Sequence, residues 1–224
     1  LPEALLNAIC LCGWNPGTEQ EIFSKEELEK IFDFDKVQKS GAVFGEDKLN
    51  WFNREYIKKL GTKEFWDLAH VWLPQNEWMK DTEEVLEMLK KIEHLIRDRV
   101  EKFSDIKTLF AAGEFTYFFK DPKFDQGLLI WKNLRFDLIK DPSLDILEIT
   151  KGHLTRIYSI LEKVPEESWN YDSIKGMIWD YAEKEGRGAV LWPMRVVLSG
   201  REKSPDPFEL ASILGKETTL RRLR

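Results

Sequence analysis

The side chains that could do chemistry in this sequence are three histidines, two cysteines, many carboxylates and nine tryptophans. His70, His94 and His153 have no ligand or carboxylate partner at the spacings of three or four that metal patterns use, so each reads as a surface or boundary residue. Cys10 and Cys12 fall on a helix, where side chains two positions apart point about 200° away from each other and cannot share a metal. The glycines never form G-x-G-x-x-G or G-x-x-x-x-G-K-[ST], the loops whose backbone cradles phosphates. Gly186-Arg187-Gly188 reads as a helix-end turn. The acidic pairs Glu26-Glu27 and Glu83-Glu84 open helices, where the macrodipole accounts for them. No catalytic residue, no metal site and no cofactor of this chain's own is expected.

Aromatic and basic side chains remain. Trp14, Trp51, Trp131 and Trp192 stand at the ends of elements rather than inside apolar stripes. Exposed aromatics beside Arg suit unstacked nucleobases. Tryptophan is also efficient core filler in a small bundle, and composition alone favours a generic interaction bundle over RNA binding. The net charge is −6, but residues 185–224 carry eight Lys/Arg against five acids, which leaves +3 there and −9 on residues 1–184. That basic end is either a local polyanion surface or a solvated tail.

The elements that would position these groups are helices. Apolar residues at 42% against 33% charged describe a globular chain rather than a disordered one. Charges interrupt every apolar run before the roughly 18 residues that a bilayer requires, so no membrane partner is expected. Two free cysteines fit a reducing, cytoplasmic setting. Leu1-Pro2-Glu3, with no initiator Met and no signal peptide, reads as the start of a chain cut from something longer.

Leu1, Leu5, Ala8 and Cys12 make a first helical stripe, with Leu28 and Ile31 on a second helix after the capping box at Ser24. Leu49, Phe52, Tyr56 and Leu60 make a third. The longest helix is expected from about Thr82 to Lys102, burying Val85, Leu89, Ile92, Ile96 and Phe103. Others are expected from Leu144 to Lys163, over Tyr171–Tyr181, from a first-turn Pro193 to Gly200, and from an Asp206 N-cap to Gly215. No convincing strand pattern occurs; Thr116–Phe119 and Leu128–Trp131 read as helix or loop. The fold class is all-α, as consecutive helical bundles over residues 1–62, 63–128 and 129–224. Asp121–Gly127, Asp141-Pro142 and Val164-Pro165 supply the breaks.

Ordered blocks of residues carry a resemblance. Leu1-Pro2-Glu3-Ala4-Leu5-Leu6-Asn7, Gly13-Trp14 and Glu21-Ile22-Phe23-Ser24 resemble the segment after the catalytic domain of bacterial glutamyl-tRNA synthetases. So do Val37-x-Lys39-Ser40-Gly41-Ala42-Val43-Phe44 and Leu49-x-Trp51-x-Asn53-x-x-Tyr56-Ile57. Near the other end, Trp192-Pro193-Met194-Arg195-Val196-Val197-Leu198-Ser199-Gly200 resembles the family's P-x-R-x-x-[LV]-[ST]-G motif. Ser204-Pro205-x-Pro207-Phe208-Glu209-Leu210 and Ile213-Leu214-Gly215-Lys216-Glu217-x-x-Leu220 follow it in the family's order. The likeness is strong at both ends and weak between about 62 and 170.

The resemblance implies that residues 1–62 are a stem-contact domain and that 63–128 and 129–224 are two anticodon-binding subdomains. It implies tRNA(Glu) as partner, not DNA. It also implies an N-terminal catalytic domain elsewhere, with the HIGH-like and KMSKS-like motifs that use ATP and Mg²⁺ and that residues 1–224 lack. By the same resemblance Arg99 reads the third anticodon base, Arg195 contacts the anticodon, and Ser204, Pro205 and Pro207 form the loop over which its bases splay. Trp192 stands where a family member has glutamine, so stacking would replace a hydrogen bond. A further family arginine, on the helix around 174–184, falls at Ile178 and has no basic counterpart there. The competing reading is a catalytically inactive, free-standing module for RNA or protein binding.

Overall fold

The computed structural model describes residues 1–39, 44–75, 79, 82–133 and 145–224. The expected motif residues Ser40–Val43, the Asp141-Pro142 turn and the helix start at Leu144 lie outside them. The described chain is all-α. Its only β feature among the described residues is one antiparallel bridge between Trp14 and Val37. By contacts it divides into two compact units, Leu1–Asn76 with Ile92–Ala112, and Glu77–Lys91 with Gly113–Arg224.

The first unit holds α1 (Pro2–Gly13), α2 (Lys25–Ile31), α3 (Glu46–Lys59), α4 (Thr62–Ala69) and α6 (Ser104–Ala111), together with the C-terminal part of α5 (Glu83–Arg99). Ala4, Ala8 and Phe52 form one core cluster; Trp14, Phe23 and Leu28 form another. Trp14 is thus core, not an exposed platform. The buried face of α1 is rotated from the expected stripe: Ala4, Asn7 and Ala8 are inside, while Leu5 is 43% exposed. Asn7 explains the rotation. Its side chain donates to the Glu21 carbonyl (2.7 Å) and accepts from the Phe23 N–H (2.8 Å) and the Tyr56 hydroxyl (3.1 Å). An amide with three hydrogen bonds can be buried where an isolated one could not, and an apolar count misses it.

The helix expected from about Thr82 to Lys102 is α5, which ends at Arg99. Asp105 accepts the backbone N–H groups of Glu101 (2.9 Å) and Lys102 (3.0 Å), which ends one helix and leads into α6. Phe103 therefore lies outside α5. Arg97 is buried, donating to the carbonyls of Ile57 (2.5 Å) and Gly61 (3.4 Å) and to Glu93 (2.9 Å).

The second unit contains α7 (Ile146–Leu161), α8 (Tyr171–Glu185), α9 (Arg187–Ser199), α10 (Pro207–Leu214) and α11 (Lys216–Leu223). Ile157, Leu161, Ile174, Ile178, Met194, Leu198 and Leu210 make its core. Thr116–Phe118 and Gln126–Leu129 are short 3₁₀ turns. Pro193 is not a first-turn proline; it sits inside α9. That helix begins six residues earlier because Gly186, at φ 100°, turns the chain sharply after α8, a conformation open chiefly to glycine. Nor is the basic end a solvated tail. Arg222 has only 6% of its side chain exposed and donates to the carbonyls of Leu198 (2.6 Å) and Lys120 (3.1 Å) and to Asp121 (3.1 Å).

Candidate nucleic-acid interface

In the second unit, two helix faces with a four-residue repeat meet. On α8, Tyr171, Lys175 and Trp179 lie one above another; on α9, Gly188, Trp192 and the turn beyond it do the same. With Trp131 and the start of α10 they line a cleft of about 490 Å³. Its size falls within the roughly 300–1,000 Å³ of ordinary ligand sites.

The aromatic wall is fixed by two contacts. Trp192 donates its indole N–H to the Leu128 carbonyl at 2.7 Å, which holds the ring in one orientation. Trp131 packs on it, with ring centres 5.2 Å apart and planes at 54°. Trp131 also lies hard against the backbone of α9: a methyl on Gly188 would sit 2.5 Å from its indole nitrogen. Gly188 is therefore an approach site for the ring, and Gly186-Arg187-Gly188 is more than a helix-end turn.

Cations ring the same cleft. Arg187 lies 4.7 Å and Lys175 5.1 Å from the centre of the Trp179 ring, and Lys175 is also 5.5 Å from that of Tyr171. Arg187 pairs with Glu183 one turn back. Arg195 differs from both. Its Nε is fully buried and, among the described residues, has no hydrogen-bond acceptor. A buried guanidinium donor without an acceptor is costly unless a ligand supplies one. At the far wall, Asp206 caps α10, accepting from the N–H groups of Phe208 (2.9 Å) and Glu209 (3.1 Å).

Of the expected site residues, Trp192, Arg195 and Pro207 line this cleft. Ser204 and Pro205 are half-buried in the loop leading into α10 and do not line it. Arg99 is exposed at the last residue of α5, in the first unit. Ile178 is wholly buried, so no side chain at that position reaches the cleft. Lys175 and Arg187 are further basic groups on this wall; with Tyr171, Trp179 and Gly188 they are not among the expected site residues. The signal was present: an aromatic, a cation and an aromatic at 171, 175 and 179 repeat every four residues. Among the described residues no group of three or more His, Cys, Asp or Glu could hold a metal, and no helix is long and apolar enough to cross a membrane.

Comparison with known proteins agrees with this chemistry. The family model described as the anticodon binding domain matches residues 64–224. The model described as the catalytic domain of class I tRNA synthetases (E and Q) matches residues 1–51. Glutamate–tRNA ligases of Clostridium botulinum (strain Eklund 17B / Type B) and Clostridium acetobutylicum are 37% and 38% identical, covering all of this chain and 43% and 42% of their own length. A crystal structure of a glutamate tRNA ligase from Elizabethkingia meningosepticum aligns with the whole chain at a TM-score of 0.71 and 28% identity, over 40% of that protein. The chain belongs to the anticodon binding domain family of the class I tRNA synthetases. Its relatives there are glutamate–tRNA ligases, to whose anticodon-binding C-terminal part it corresponds, and it spans less than half their length.

Proposed function

We propose that this chain recognises tRNA(Glu) for a glutamate–tRNA ligase in the cytoplasm, taking splayed anticodon bases into the cleft of the second unit. The unpaired Nε of Arg195, buried beside the Trp131–Trp192 wall, carries this reading. An unstacked base gains a π-surface on the indoles, worth about 1–3 kcal/mol. Arg195 then donates to acceptors on the base edge. Pro207 walls the cleft, and Ser204 and Pro205 shape the loop that enters it. Arg99 reads the third anticodon base, and residues 1–62 contact the tRNA stem ahead of two anticodon-binding parts, 63–128 and 129–224. Glutamate activation, with ATP and Mg²⁺, belongs to a catalytic domain bearing HIGH-like and KMSKS-like motifs, the partner of this chain in the reaction. The match of residues 1–51 to the catalytic-domain model supports that partnership.

The test compares binding of an RNA hairpin carrying the glutamate anticodon loop with one whose loop is scrambled. Wild type should prefer the first, and Arg195→Gln should lose about 1–3 kcal/mol on it and much of the preference. Equal binding of the two hairpins by wild type refutes base readout by this chain.

A further inference from the structure

Lys175 and Arg187 are an odd pair to place together. Both positive charges lie within 5.1 Å of the centre of one indole, that of Trp179. The quadrupole of the ring eases their mutual repulsion, and Glu183 offsets Arg187. Lys175 has no ion pair among the described residues; it is held only between the rings of Tyr171 and Trp179. An ammonium restrained on aromatic faces, with a guanidinium on the same ring and a base-sized aromatic cleft beside it, lacks an anion. Neither residue contributes to the apolar core, so packing does not account for the arrangement.

We propose that Lys175 and Arg187, mounted on Trp179, form a clamp for a backbone phosphodiester of the strand whose bases enter the cleft. The clamp rests on the anticodon-binding reading above, but its role differs from that of Arg195. Phosphate contacts fix register and carry no sequence information, whereas base-edge contacts specify. Trp179 serves as the mount for the two cations, and Trp131 and Trp192 as the surface for the base.

The full 224-residue chain is titrated with both hairpins between about 50 and 200 mM salt, the range over which phosphate contacts declare themselves. Lys175→Gln and Arg187→Gln are each expected to weaken both hairpins by the same factor, about fivefold near 0.1 M salt. Each should also flatten the plot of log affinity against log salt by about 0.7, the share of one single-strand phosphate. Lys175→Arg should restore both. Inorganic phosphate at matched ionic strength should compete no better than chloride; stronger competition would assign the site to free phosphate instead. An unchanged salt slope in both Gln variants, or a loss confined to one loop sequence, overturns the clamp while leaving Arg195 as base reader. A flattened slope in a wild-type background that cannot tell the loops apart upholds the clamp and sinks base readout. Failure of wild type to bind either hairpin sinks both.

Discussion

Replacing Gly188 by alanine tests the aromatic wall without touching a charge. The new methyl would lie 2.5, 2.6 and 3.0 Å from the Nε1, Cε2 and Cδ1 atoms of Trp131, so something must move. The backbone of α9 resists, because Val190 and Met194, within the same helix, are fully buried. Trp192 resists too, since retreat would break its hydrogen bond to Leu128 and forfeit about 0.5–1.5 kcal/mol. Trp131, half-buried on the cleft wall, is the side chain that gives.

The stability terms then oppose each other. Overpacking costs about 1–3 kcal/mol, and removing a helical glycine returns at most about 1 kcal/mol. A net loss of about 0–2 kcal/mol leaves the chain folded. Binding has no such compensation, because the displaced ring no longer offers the same face to a base. Losing one stacked base is worth about 1–3 kcal/mol, or roughly five- to 150-fold in affinity. Urea denaturation would report the first quantity, and fluorescence anisotropy with the anticodon hairpin the second. Unaltered hairpin affinity in Gly188→Ala would mean that Trp131 is not where a base stacks.

Arg99→Gln should weaken binding of a tRNA whose anticodon ends in C by about 1–3 kcal/mol, and of one ending in G by less, since cytosine offers acceptors at O2 and N3 where guanine offers donors. An unchanged ratio between the two would reduce Arg99 to a surface charge. Arg222→Ala should cost about 1–3 kcal/mol in denaturation experiments, because it strands the Leu198 carbonyl, takes a donor from the Lys120 carbonyl and leaves Asp121 to Arg221 alone; a loss under 0.5 kcal/mol would restore the solvated-tail reading. Hydrogen bonds from Arg221, and secondarily Arg222, hold the Asp121 carboxyl below the usual carboxylate range. Its contribution is therefore present above the unfolded value of about 4 and fades as pH falls through the lower folded one. Asp121→Asn should accordingly be less stable than wild type at neutral pH and converge with it in acid; a gap that stays constant with pH would show that the pairing contributes nothing.

Much of the fold is legible in the sequence because its helices announce themselves locally. The Ser24 capping box is present as read, with Ser24 and Glu27 exchanging bonds of 3.1 and 2.7 Å. Asp206 caps α10 at the expected place. What fails locally fails for tertiary reasons. The face of α1 follows Asn7, whose three partners come from residues 14 to 49 positions away. The start of α9 follows Gly186 rather than Pro193, since a proline inside a helix removes only one N–H and can be outvoted by packing. The cleft is half legible. Trp192, Arg195 and Pro207 belong to recognisable blocks, whereas Lys175 and Trp179 matter only because α8 lies against α9.

Three arginines differ in what their guanidinium donors meet. Arg97 and Arg222 are buried deeply, and each donates its guanidinium to backbone carbonyls. Each also has a carboxylate close by, Glu93 for the first and Asp121 for the second. Their donors are spent inside the protein, so substituting them should change stability before it changes binding. Arg195 sits in an equally well-formed helix with equally buried neighbours, yet its Nε has nothing to donate to. A buried unsatisfied donor costs about 1–3 kcal/mol; Trp14 Nε1, Arg54 Nε and Thr150 Oγ1 share that state among the described residues, and Arg195 differs from them in lining the aromatic cleft. On the proposed reading, an acceptor brought into the cleft offsets that cost. In the proposed complex a nucleobase edge supplies it, with a flat face to lay on Trp131 and Trp192.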